Sequence, residues 1–207
     1  HLSLRRQRQM CIRDRVTTPE YVVDKATKLE TIYDRIHEVR MRFEVLKRDA
    51  EIQLLKNIVA GGDEVRLGKA YEERIAKLDN DFALVAECNV GGEFMASEKI
   101  EKVKEIADET WTRTISDRLG ISHDEVKRKE REPEPQLPVL EKLLDDRYFH
   151  IIHREERDLM EPNNKWGFNM KVPENKFNLG EIYNLCIGRG TLTEEDRYKI
   201  NEHIVQT

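Results

Sequence analysis

The chain has 207 residues, is 37% charged and 38% hydrophobic, and carries a formal net charge of −5. An acidic balance argues against general nucleic-acid binding, which rests on neutralising phosphates, and no run approaches the roughly 18 apolar residues of a membrane span. Dense charge beside modest apolar content suits a solvated, mainly helical protein better than a compact enzyme with a thick core.

Residues 1–15 (HLSLRRQRQMCIRDR) have neither the apolar h-region of a signal peptide nor a sustained amphipathic repeat. They resemble the translated sequencing-adapter tails found at the edges of open reading frames, and on that reading encode no biology. A disordered basic arm that contacts nucleic acid or anionic lipid is the alternative. The segment's five Arg and one Asp supply +4, so the other 192 residues carry −9. Cys11 lies in it, and Cys88 and Cys186 show no CxxC spacing, which points to a reducing cytoplasm.

From residue 19 to 60 the pattern predicts one long helix, about 60 Å at 1.5 Å per residue, with Thr18 as cap and Pro19 in the first turn. Leu29, Ile32, Ile36, Val39, Phe43, Leu46 and Ala50 recur in alternating steps of three and four, the rhythm of a coiled-coil seam. Gly61-Gly62 ends the helix. A second is expected over 63–87, with Tyr71, Ile75, Leu78, Phe82 and Val85 in the same rhythm, and the tight turn favours an antiparallel hairpin. Its stripes are expected to satisfy each other or to pair with a second chain as a homodimer. A third helix over 97–119, with Ile100, Val103, Ala107, Trp111 and Ile115 inward, would complete a three-helix bundle within residues 16–120, Trp111 anchoring the hairpin.

Residues 115–129 (ISDRLGISHDEVKRK) mimic a helix-turn-helix, yet Leu-Gly-Ile-Ser is also a glycine cap followed by an N-cap, and the basic residues of 124–131 alternate with acids. Ser122 with Glu125 reads as a capping box, so His123-Asp124 is expected to open a polar helix rather than hold a metal. Pro133, Pro135 and Pro138 make residues 121–138 a short helix plus linker, the expected domain boundary. A short helix over 139–147 and a strand or loop over 148–152 follow. His150 and His153 have i, i+3 spacing, but no further ligand type surrounds them, so packed or solvated histidines are expected. Residues 161–178 should be an ordered loop anchored by Trp166, Phe168, Met170 and Phe177.

The last stretch carries the chemistry. Thr193 is a good N-cap, Glu194, Glu195 and Asp196 favour the positive end of a helix, and Ile200 with Ile204 form an i, i+4 apolar pair that places His203 beside the core. Residues 178–207 (NLGEIYNLCIGRGTLTEEDRYKINEHIVQT) resemble the middle of an HD-GYP-type phosphohydrolase domain, in which a KPG-like turn precedes LT-x-E-E and a helix bearing a metal-binding histidine. The turn here is Gly188-Arg189-Gly190 and the matching histidine is His203.

The resemblance implies a bacterial signalling enzyme that hydrolyses cyclic dinucleotides or related phosphodiesters at a divalent Fe or Mn centre. His203 would be one ligand, and Arg189 would approach a substrate phosphate. Residues 139–207 would then be the start of an all-α HD-type domain. The family's His-His pair and Gly-Tyr-Pro loop lie downstream of this helix. Its His-Asp dyad, aligned through Val172-Pro173-Glu174, falls on Lys165 and Trp166. The 207 residues are therefore expected to be inactive by themselves, and a non-catalytic helical adaptor is the alternative function.

Overall fold

The computed structural model of the chain describes residues 34–159 and 164–206. The basic segment 1–15 and the first part of the long predicted helix, including Leu29 and Ile32, lie outside the described residues. From Asp34 onward the three-four stripe does what it predicts. Helix α1 (Ile36–Val59) buries Val39, Phe43 and Leu46, and helix α2 (Glu64–Val90) buries Leu78 and Val85. The pairs Asp34–Asn89, Phe43–Phe82 and Lys47–Asp79 run in opposite order along the two helices, so the hairpin is antiparallel. The phenylalanine rings meet edge to face at 5.4 Å, the geometry aromatic quadrupoles favour. Gly61, at φ +87°, makes the turn, and Asp63 caps α2 by accepting from the Arg66 amide at 3.1 Å.

The third helix is shorter than predicted. Helix α3 (Ser97–Ala107) stops at Asp108, and strand β1 (Thr110–Arg113) follows, paired antiparallel with β2 (Val139–Lys142). The predicted helix over 139–147 is thus a strand and an irregular turn. Thr110-Trp111-Thr112 is a β-branched and aromatic run, which fits a pleated, half-buried surface. Val139 and Leu140 supply its partner, with Trp111 opposite Glu141. Continuing the helical stripe of α3 through Trp111 and Ile115 extends the wrong period; Ile115 is exposed. Trp111 does pack against the hairpin core, but from a strand.

Leu143, Leu144 and Leu185 join Val39, Phe43, Leu78 and Val85 in one hydrophobic cluster, so residues on both sides of the Pro-rich stretch share a core. Helix α4 (His123–Lys129) begins at the predicted Ser122 cap, whose hydroxyl accepts from the Glu125 amide at 3.3 Å. Its Lys129 is turned inward onto Asp117, which removes that cation from any recognition surface. A 3₁₀ turn at Tyr148–His150 leads into β3 (Ile151–His153), which pairs antiparallel with β4 (Asn175–Asn178) across a register shift. Helices α5 (Glu181–Leu185) and α6 (Glu194–Gln206) complete six α-helices among the described residues. Among those residues no helix is long and apolar enough to cross a membrane.

Two backbone hydrogen bonds stitch the end of α2 to the α5–α6 loop: Met95 N to Gly188 O at 3.0 Å and Gly190 N to Gly92 O at 2.8 Å. Gly91 lies just before Gly92 at φ +71°, and a Cβ there would stand 2.8 Å from Thr191 Cγ2 and 3.1 Å from Gly190 O. Gly91→Ala is expected to cost about 1–3 kcal/mol, from left-handed strain plus crowding against backbone. Gly92→Ala, with nothing within 4 Å, should be nearly silent. Urea midpoints of the two variants check the contrast.

Candidate functional site in the C-terminal segment

Helix α6 is capped as its sequence predicts. Thr193 Oγ1 accepts from the Asp196 amide at 3.1 Å, and Asp196 Oδ2 accepts from the Thr193 amide at 3.0 Å, so two orphan donors of the first turn are satisfied reciprocally. The buried face differs from the expected one. Glu195, Tyr198 and Glu202, at i, i+3 and i+7, point inward, whereas Ile200 is exposed and so is His203. The inward face is organised by Tyr198, whose ring meets Phe168 edge to face at 5.4 Å and lies 4.7 Å beneath the Arg154 guanidinium. Glu195 accepts from the Tyr183 hydroxyl at 3.0 Å; burial and that carboxylate push the phenol up to about 12. Glu202 takes a 2.6 Å ion pair from Lys199. Phe168 is thus the anchor predicted for the preceding loop, while Trp166 and Met170 are exposed.

Arg189 is exposed in the turn before the cap, and its carbonyl accepts from the Arg197 guanidinium at 3.2 Å. His203 lies ten residues beyond Thr193, about 15 Å along the helix at 1.5 Å per residue. Arg189 and His203 therefore stand at opposite ends of α6. Three other histidines are placed elsewhere: His123, with Asp124, is exposed at the start of α4, His153 is exposed on β3, and His150 is buried in the 3₁₀ turn. Lys165 and Trp166 are both exposed, the ammonium 4.8 Å from the indole ring centroid. Among the described residues no group of three or more His, Cys, Asp or Glu side chains could hold a metal ion.

What local sequence reasoning missed is a buried charge hub. Glu181, the first residue of α5, receives both ends of the Arg42 guanidinium, at 2.9 Å each. The carboxylate also accepts from the Asp145 amide at 3.0 Å and from Arg35 at 3.3 Å, while Arg42 donates to the Leu143 carbonyl at 2.8 Å. Burial opposes the charge on Glu181, but the Arg42 hydrogen bonds win and hold it below the usual carboxylate range. Beside it, His150 Nδ1 accepts from the Arg147 amide at 3.1 Å and Nε2 faces Arg35 at 3.4 Å. Burial first, then the Arg35 charge, depress this imidazole to about 4, so it is neutral at pH 7. A glutamate behind Gly180 reads locally as an ordinary first-turn acid, and no signal along the chain points to Arg42.

Residues 138–207 match the HD domain family. The family is one of metal-dependent phosphohydrolases. No curated protein and no solved structure matches the chain. The HD-domain segment takes in β2 through α6, so it contributes one strand of the β1–β2 pair and Leu143, Leu144 and Leu185 of the core. It also carries the acid of the charge hub, Glu181, while the base, Arg42, comes from α1. The helical hairpin and the HD-domain segment are thus held by apolar packing and by a bidentate ion pair at once. The described side chains of the segment do not fit a complete metal centre.

Proposed function

We propose that the HD-domain segment belongs to an HD-GYP-type phosphohydrolase that cleaves cyclic dinucleotides or related phosphodiesters in cytoplasmic bacterial signalling, with the helical hairpin coupling an input to it. His203 is proposed as one ligand of an Fe or Mn centre and Arg189 as a contact for substrate phosphate. The observation that supports this reading is the capped helix α6, which presents an exposed His203 within the residues matching the family. A catalytic centre of this kind needs at least three converging protein ligands, and the described residues gather no such group. The 207-residue chain on its own is therefore proposed to be inactive.

Incubation with Mn²⁺ or Fe²⁺ and cyclic di-GMP, or a generic phosphodiester, is expected to give no turnover above the metal alone. Metal-dependent hydrolysis by the chain would overturn the inactivity. A gene that continues past Thr207 with a His-His pair and a Gly-Tyr-Pro loop would support the phosphohydrolase, and one that continues without them would sink it. The second reading is a non-catalytic adaptor that pairs through the hairpin. It is favoured by the last turns of α1, where Leu55 and Val59, at i, i+4, are both exposed.

A further inference from the structure

A cleft of about 1090 Å³ opens between α1, the β1–β2 pair, α4 and the 3₁₀ turn at Tyr148–His150. It is of the size that small-molecule sites reach. One wall is apolar, made by Met41, Val45 and Ile52 of α1 with Ile115 and Leu119 across from them. The polar part is unusual in what it leaves unmet. Trp111 lines the cleft, and its indole N–H is buried with no acceptor among the described residues. Arg128, half-buried on α4, spends its Nε on the Phe149 carbonyl at 3.0 Å, and its two terminal amino groups have no partner among the described residues. The neighbouring cations are neutralised: Arg113 and Arg147 by Glu141, Lys129 by Asp117. Asp49 and Lys56, both exposed, also line the cleft without a partner among the described residues and offset each other in charge, so Trp111 and Arg128 leave one neutral and one cationic donor unmet.

Buried donors in native proteins are paired with protein, water or ligand. A guanidinium fork with both arms open matches a planar or tetrahedral oxyanion. The charge and the apolar wall together select the occupant. We propose that this cleft binds a small aromatic anion, its ring against Met41, Val45 and Ile52, its acidic group on Arg128, and a second acceptor on the Trp111 N–H. An aromatic carboxylate and an aromatic phosphate ester share this chemistry. Binding here is independent of phosphohydrolase activity.

The 207-residue chain carrying Trp166→Phe keeps Trp111 as its one tryptophan, since the sequence has two. It is titrated with 4-hydroxybenzoate, GMP and inorganic phosphate by fluorescence, and the parent chain by calorimetry. Saturable binding of 4-hydroxybenzoate or GMP is expected, weakened at least about tenfold by Arg128→Gln and several-fold by Trp111→Phe, as for lost hydrogen bonds to a charged or buried partner. Arg128→Lys keeps the charge without the fork and should fall between, which covers the case of a misfolded Gln variant. Binding of one ring compound alone assigns the carboxylate or the phosphate class. No saturation by either up to about 10 mM would overturn the proposal. So would equal binding of inorganic phosphate, which would mean a bare anion contact, or full affinity in folded Arg128 variants.

Discussion

Arg42→Ala is expected to lose about 3–5 kcal/mol of folding stability, the usual cost of stranding one member of a buried ion pair. The partner makes the loss large. Glu181 keeps only 6% of its side chain exposed, so without the guanidinium it retains the Asp145 amide and the distant arm of Arg35 against full desolvation. Glu181→Ala should cost less, because Arg42, though only 14% exposed, keeps its 2.6 Å ion pair with Glu38. The double variant Arg42→Met with Glu181→Leu should recover most of it, since a hydrophobic replacement removes both desolvation costs together. Urea unfolding followed by circular dichroism at pH 7 measures all three. An Arg42→Ala loss below about 1 kcal/mol would rank the pair with exposed surface bridges. The pH dependence has a fixed sign. The carboxylate is held below its ordinary value of 4.5, so its contribution is present above that pH and is lost as pH falls through the depressed value.

His150 gives the second large effect, in a different window. Its ring ordinarily titrates near 6.5 and is pushed down to about 4 in the fold. The unfolded chain therefore takes up a proton that the folded chain refuses. Stability is full above pH 6.5 and is lost progressively as pH falls to about 4, by on the order of 3 kcal/mol. The neutral ring is also needed as an acceptor for the Arg147 amide. His150→Gln, which can accept through its amide oxygen but does not titrate, should flatten the profile between pH 6.5 and 4.5, above the range where Glu181 protonates. Superimposable profiles for the two proteins would refute the assignment.

The parts legible in the sequence are those whose signal is local and periodic. The three-four stripe from Ile36 to Leu46 and from Leu78 to Val85 finds its partner across a two-glycine turn, so the hairpin follows from spacing alone. Ser122 and Thr193 act as caps because a hydroxyl three residues before an amide is a local geometry. The strands were hidden for the opposite reason. Thr110-Trp111-Thr112 becomes a strand only because Val139-Leu140, nearly thirty residues later, pairs with it, and a short apolar run continuing a helix keeps the helical period by chance. On α6 the apolar Ile200 misled, and the side chain of Ile204 lies outside the described residues. The inward face is chosen by Tyr198, whose aromatic partner lies in the preceding loop and whose flanking glutamates find a phenol and a lysine. The resemblance to HD-type domains was legible over residues 178–207, and the HD match extends over 138–207.

The hub has one more consequence, for the order in which the molecule can be made. Arg42 and Glu181 are 139 residues apart. At about 5–20 residues per second of synthesis, the ribosome adds the glutamate roughly 7 to 28 s after the arginine. Throughout that interval the nascent hairpin carries a guanidinium suited to burial with only its exposed helix neighbour Glu38 to neutralise it, beside Leu78 and Val85 still lacking Leu143, Leu144 and Leu185. The hairpin is thus obliged to wait, half-covered, for the last strands and helices before its own lock can close.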